Sequence, residues 1–199
     1  MRDVVLYSLL SLDGVAEEPS DWMFEVDEEV FAGLADVIAQ QDDVLLGRGT
    51  YDYWVDYWPT SEVQPFADFI NSTRKHVFTS TALTRPWANA RIADATPADY
   101  VTELRGSPGG DIGVHGSISL AQELLRADLI DRLELVVAPA IAASGARLLT
   151  AGLSPQRFAL RRASGTRTGS VLLSYRRRAH RSDEDARTLQ DPDAARPEQ

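Results

Sequence analysis

The stretch "DVLLGRGTYDYW", residues 43–54, decides how the chain is read. An apolar run, Val44-Leu45-Leu46, stops abruptly at Gly47-Arg48-Gly49-Thr50, and a helix-compatible segment with aromatic residues follows. A bare turn needs one glycine and no arginine. A strand that ends in two glycines, a guanidinium and a hydroxyl, just before a helix, has the chemistry of a phosphate cradle. Glycine permits close backbone approach, the free first-turn N–H groups favour an anion, and arginine adds a charged fork.

Two more strand ends share this chemistry. The run 74–79 closes on Thr79-Ser80-Thr81, and the short run 111–115 closes on His115-Gly116-Ser117. Strand-to-helix turns favour Gly, Ser and Thr for geometry alone, so any one of them is unremarkable. The three in this order point to a phosphate-rich cofactor.

Outward from these turns, strands and helices alternate. Residues 4–12 are a near-continuous apolar strand ended by Asp13-Gly14. The segment 26–41 has a helical period. Val30, Phe31, Leu34, Val37 and Ile38 fall in one arc when about 100° is taken per residue. Asp42-Asp43 then separates this helix from a strand over 43–47, and a second helix covers 49–57. Strands follow at 74–79 and 90–93. Thr96-Pro97-Ala98-Asp99 opens a helix with a cap, a first-turn proline and an acid three residues on. Ser119-x-x-Gln122 reads as a capping box for a helix ending near Ala127. Residues 131–138 form a strand, and 157–163 with 169–176 form a closing hairpin. This order predicts an α/β fold with a mostly parallel sheet, helices on both faces and an antiparallel edge. Ligands of such sheets bind at the carboxyl ends of strands. The expected division is one domain over 1–178 and a disordered charged tail over 179–199, which has few large apolar residues.

Composition excludes several chemistries. The 199 residues include no cysteine, so disulfides, thiolate metal sites and cysteine nucleophiles are ruled out. His76, His115 and His180 lack metal-ligand spacing, and no metal site is expected. Lys75 is the only lysine, and neither the Walker pattern, G-x-G-x-x-G after the first strand, nor G-x-S-x-G occurs. A net charge of -10 argues against general binding to nucleic acid or to anionic membranes. Seven arginines stand between 155 and 178 with no acid, and they are expected to solvate an edge strand or to face the acidic remainder of the molecule. The amino terminus reads as a strand and not a leader. No run approaches the ~18 apolar residues of a membrane span. A cytoplasmic location is expected.

The motifs together resemble the dihydrofolate reductase superfamily, in its bacterial branch related to the C-terminal reductase domain of the bifunctional riboflavin-biosynthesis deaminase/reductase. The resemblance covers about residues 3 to 177. It rests on "SLDGVAE" (11–17), "LLGRGTYDYW" (45–54), "FTST" (78–81), "VHGSISLAQELLRADLIDRLELVVAPAIAASGARLL" (114–149) and "GSVLLSYRRR" (169–178). It implies a dihydrofolate-reductase-like three-layer sandwich and a reductase that uses NADPH. Contacts to the adenosine 2′-phosphate and pyrophosphate carry over to Gly47, Arg48 and Thr50, to Thr79, Ser80 and Thr81, and to Gly116, Ser117 and Ile118. The nicotinamide would lie near Leu9, Leu10 and Val15.

Relatives often have Gly-Gly where this chain has His115-Gly116. The imidazole could narrow the pyrophosphate approach, donate to phosphate, or be a core-edge residue. The segment "EEPSDWMFEVDEEV" (17–30) has the tryptophan and acid of folate reductases but lacks their proline. On that likeness Asp27 is the catalytic acid, and its position within the apolar arc of the helix supports an inward direction. Trp22, Asp27, Phe31 and Trp58 are the candidate substrate contacts. The aromatic residues of 55–73 stack on a heterocycle or belong to core or interface.

The leading reading is an NADPH-dependent reductase of a small heterocycle of the pterin, dihydrofolate or aminopyrimidine type. A riboflavin-pathway pyrimidine reductase and a non-catalytic NADPH-binding protein are the alternatives. The apolar segment 132–142 and the edge hairpin are compatible with a homodimer.

Overall fold

A computed structural model describes residues 1–178, and the expected tail over 179–199 lies outside the described residues. Eight strands form one sheet: β1 (Val4–Leu10), β2 (Gln41–Gly47), β3 (Arg74–Phe78), β4 (Ala90–Ile92), β5 (Asp111–Val114), β6 (Arg132–Val137), β7 (Phe158–Gly165) and β8 (Val171–Arg177). The order is β4-β3-β2-β5-β1-β6-β8-β7. β1 to β6 are mutually parallel, and β8 and β7 add an antiparallel edge. The expected α/β architecture is therefore the one observed.

Five helices cover the sheet: α1 (Glu28–Ile38), α2 (Arg48–Tyr57), α3 (Phe66–Ser72), α4 (Pro97–Gly106) and α5 (Ile118–Arg126). Strand alternation sorts the core. Val4, Leu6 and Leu10 of β1 pack with Leu120 and Leu124 of α5. Tyr7 and Leu9 point the other way, toward Val30 of α1. Val44 and Leu46 of β2 meet Tyr51 and Val55 of α2 and Ile70 of α3. Among the described residues no helix is long and apolar enough to cross a membrane.

Three local expectations are corrected. β2 begins at Gln41, so Asp42 and Asp43 lie inside the strand and do not separate it from α1. Asp43 is buried there because Arg2 Nη2 (2.6 Å), Arg74 Nη2 (2.8 Å) and His76 Nε2 (2.6 Å) all donate to its carboxylate. Desolvation opposes its ionisation, but those partners prevail and hold its pKa at about 2. The cap of α5 is Ser117, whose hydroxyl accepts from Leu120 N–H, while Ser119 belongs to the first turn. α3 was not expected at all. It is seven residues long, has no side-chain N-cap, and is closed by Lys75, whose Nζ donates to Ile70 O (2.6 Å) and Thr73 O (2.8 Å). The Thr96 cap, with Pro97 in the first turn of α4, is as the sequence implies.

Four of the seven arginines between 155 and 178 pair with acids elsewhere. Arg162 meets Asp36, Arg167 meets Glu29, Arg176 meets Asp3, and Arg177 meets Asp128.

Candidate active site

Parallel strands bring the ends of β1, β2, β3 and β5 to one rim. β5 lies between β2 and β1, so the chain departs in opposite directions from neighbouring strands there, which opens a crevice. A cavity of about 850 Å3 occupies it.

Its floor is a tight junction of two turns. Gly47 ends β2 against Ser117, and an added Cβ at Gly47 would press on Ser117 Oγ and lie 3.0 Å from Ser117 Cβ. Gly116 has φ +152°, and an added Cβ would lie 2.8 Å from Thr50 Cγ2 and Oγ1. Glycine is required at both places because each backbone is in contact with the neighbouring turn. The junction sets the amino termini of α2 and α5 side by side at the cavity, where Gly49, Thr50, Ser117 and Ile118 form part of its wall. First-turn N–H groups have no carbonyl partner within their own helix, so two such termini make an anion site from neutral donors.

Arg48 sits beside this wall and outside it. Its Nε donates to Asp52 (2.6 Å) and its Nη1 to Thr81 Oγ1 (2.6 Å) and Ala82 O (3.1 Å). Thr79 Oγ1 is 3.4 Å from the same nitrogen. Nη2 donates to no group among the described residues, so the guanidinium is held rigidly with one edge free. Arg85 pairs with the same Asp52 and also with Asp56, which balances the local acids. Ser80 is exposed in the same turn.

The opposite side of the cavity is apolar. Val30, Phe31 and Leu34 of α1 face an aromatic group of Trp54, Trp58 and Phe66, with ring centroids 5.4 Å apart for Trp54–Phe66 and 4.8 Å for Trp58–Phe66. His115 continues this wall between Phe66 and Tyr7. Its Nε2–H donates to Gln41 Oε1 (2.7 Å), and burial lowers its pKa to about 3, so the ring is neutral at pH 7. It is a wall residue. Burial also raises the Tyr7 phenol well above its ordinary value, and the hydroxyl stays a donor with no partner among the described residues.

The site residues expected from sequence divide accordingly. Leu9, Thr50, Gly116, Ser117, Ile118, Phe31 and Trp58 come together at the cavity, Gly47 lies directly beneath it, and Arg48, Thr79, Ser80 and Thr81 gather at its flank. Leu10, Val15, Trp22 and Asp27 are not in the wall. Leu10 points to the α5 face, and Val15 is fully buried against the turn at Arg147. Trp22 is buried, with its indole N–H donating to Glu17 O (2.8 Å).

Asp27 is the main correction. It is the N-cap of α1 and precedes the first helical residue, and its side chain is buried, as an inward direction implies, but outside the cavity wall. Oδ1 accepts from Val30 N–H (3.1 Å), while Oδ2 accepts from Thr168 N–H (3.1 Å) and Thr168 Oγ1 (2.8 Å). Desolvation opposes its ionisation, but hydrogen bonds from Thr166, Thr168 and Val30 hold it well below the usual carboxylate range. Oδ1 thus caps α1 itself, and Oδ2 ties the helix to the hairpin turn. Sequence reasoning also missed Tyr7, Tyr53, Trp54, Glu17 and Glu18, which line the cavity. The near-continuous apolar run of β1 does not single out Tyr7, and Tyr53 and Trp54 stand in the sequence only as aromatic residues of the segment after Thr50.

Residues 2–174 match the RibD C-terminal domain. The chain belongs to that family. It is 27% identical over 151 residues to YyaP of Bacillus subtilis (strain 168), covering 72% of this chain and 78% of that one. It is 29% identical over 147 residues to YwjB of the same organism, covering 72% and 80%. Among solved structures, a protein of Shewanella sp. PV-4 named for riboflavin biosynthesis superposes with a TM-score of 0.73 at 18% identity, over 89% of this chain and 99% of that one. The Thermotoga maritima diaminohydroxyphosphoribosylaminopyrimidine deaminase/5-amino-6-(5-phosphoribosylamino)uracil reductase superposes with a TM-score of 0.64 at 17% identity, over 88% and 56%. At these identities the structural likeness establishes the fold.

Proposed function

We propose that the protein is an NADPH-dependent reductase of a small heterocycle. The observation that carries this reading is the joined pair of helix termini at the ends of β2 and β5, with Arg48 fixed beside them and Nη2 open. The termini suit a pyrophosphate, and the guanidinium suits an additional phosphate on the adenosine. The cradle fits the cofactor on this structure because Gly47 and Gly116 let the two turns meet, which brings the first turns of α2 and α5 to one wall with no acidic side chain among Gly49, Thr50, Ser117 and Ile118. When bound, the cofactor would supply a hydride. The chain's own part is to hold it against the rim, to exclude water with the aromatic wall, and to offer the Tyr7 hydroxyl as a donor to the heterocycle. Family membership favours one second reading, a pyrimidine reductase of riboflavin biosynthesis.

The test is a screen of oxidised pterins, dihydrofolate and aminopyrimidines for loss of reduced-nicotinamide absorbance. One heterocycle should be turned over with NADPH. Tight NADPH binding without consumption for any of them would favour a non-catalytic binding protein.

A further inference from the structure

The two sides of the cavity differ in what they can hold. Donors suited to an anion lie on the β2–β5 side, at the first turns of α2 and α5. On the reading above they are occupied by the cofactor. The side between α1 and the aromatic group offers no equivalent. No lysine or arginine among the described residues lines the cavity anywhere. The one helix terminus on that side, that of α1, is closed by its own Asp27 and followed by Glu28 and Glu29. The charged side chains in the wall are Glu17 and Glu18. Glu17 accepts from Ala146 N–H (2.8 Å), and Glu18 has no partner among the described residues.

We propose that the substrate is a planar heteroaromatic compound without a phosphate group, stacked in the aromatic half of the cavity with the Tyr7 hydroxyl as its polar contact. The proposal rests on the reductase reading and narrows it. A phosphate dianion placed here would leave water, find no cation, and meet an apolar wall, in a cavity whose charged side chains among the described residues are both acidic. A neutral ring system meets none of those costs and gains contact with Trp54, Trp58 and Phe66. The chain would then reduce a different compound from a phosphoribosylated pyrimidine, although it shares a fold with proteins named for that substrate.

The test uses one ligand in two forms, 5-amino-6-(5-phosphoribosylamino)uracil and the same molecule dephosphorylated. Each is titrated against the full chain by quenching of tryptophan fluorescence, with and without NADPH. The dephosphorylated form should bind at least about tenfold more tightly, and Tyr7→Phe should weaken it without changing NADPH affinity. Equal or tighter binding of the phosphorylated form overturns the proposal, as does failure of both forms to bind. If the chain discriminates between the two forms but does not bind NADPH, the substrate class stands and the reductase reading falls.

Discussion

Replacing Gly47 with alanine tests how closely β2 and β5 are joined beneath the cavity. The new methyl would press on Ser117 Oγ and lie 3.0 Å from Ser117 Cβ and 3.4 Å from Ser117 N. The hydroxyl can rotate away, but it then gives up the cap it makes with Leu120 N–H. Losing such a cap costs ~1 kcal/mol. The Cβ contact cannot be relieved by rotation, so the turn must shift, and overpacking of this kind costs ~1–3 kcal/mol. The sum of roughly 2–4 kcal/mol corresponds to a fall in Tm of roughly 4–16 °C for a chain of this size. NADPH affinity should fall as well, because the first turn of α5 moves with Ser117. Gly49→Ala is the control for Tm alone, since Gly49 belongs to the anion wall: its Cβ meets nothing within 4 Å and it lies in a helix, where alanine is favoured. Thermal denaturation of both variants, with an NADPH titration of Gly47→Ala, decides the matter. Equal Tm values for wild type and Gly47→Ala, or equal losses of Tm in the two variants, would refute the junction.

Three further outcomes follow from particular side chains. Asp27→Asn should keep turnover per folded molecule but lower Tm by a few degrees, since asparagine keeps the cap to Val30 N–H yet sets an amide nitrogen against Thr168 N–H, and Asp27→Ala, which loses both, should lower Tm further with turnover per folded molecule intact. An Asn variant that folds but loses most turnover would restore Asp27 as the catalytic acid. His115 has a folded-state pKa of about 3 against 6.5 ordinarily, so the unfolded chain binds the extra proton between those values and stability falls with pH from about 6.5 downward. The contribution at pH 5 is on the order of 2 kcal/mol, and denaturant titrations at pH 7 and pH 5 should show a smaller acid loss in His115→Gln than in wild type. Gly116→Ala should resemble Gly47→Ala in Tm, because its Cβ meets Thr50 at 2.8 Å and its φ is positive.

The fold was legible because alternating strands and helices leave a strong pattern, and because a phosphate cradle restricts residue type at each strand end. The strand-end chemistry of Gly47, Thr50, Gly116 and Ser117 points to a phosphate ligand, and the family resemblance assigns them to one site. What was missed depends on partners remote in sequence. Asp43 reads as a loop residue until Arg2, Arg74 and His76 are known to surround it. Asp27 reads as an acid facing the substrate until Thr168, 141 positions away, is seen to take its second oxygen. α3 has no cap of its own and is completed by a lysine beyond its end. His115 looked ambiguous because its setting is made by Tyr7, Phe66 and Gln41, each from a different element.

The most direct test of the central claim is a paired titration of wild type and Arg48→Ala with NADPH and NADH. The wild-type chain should bind NADPH more tightly. Removing the guanidinium should weaken NADPH by roughly 10- to 150-fold, the equivalent of ~1.5–3 kcal/mol for a charge-assisted contact, and should leave NADH nearly unchanged. Equal affinity for the two cofactors in wild type, or an equal loss for both in the variant, would contradict the account of a 2′-phosphate held at Arg48.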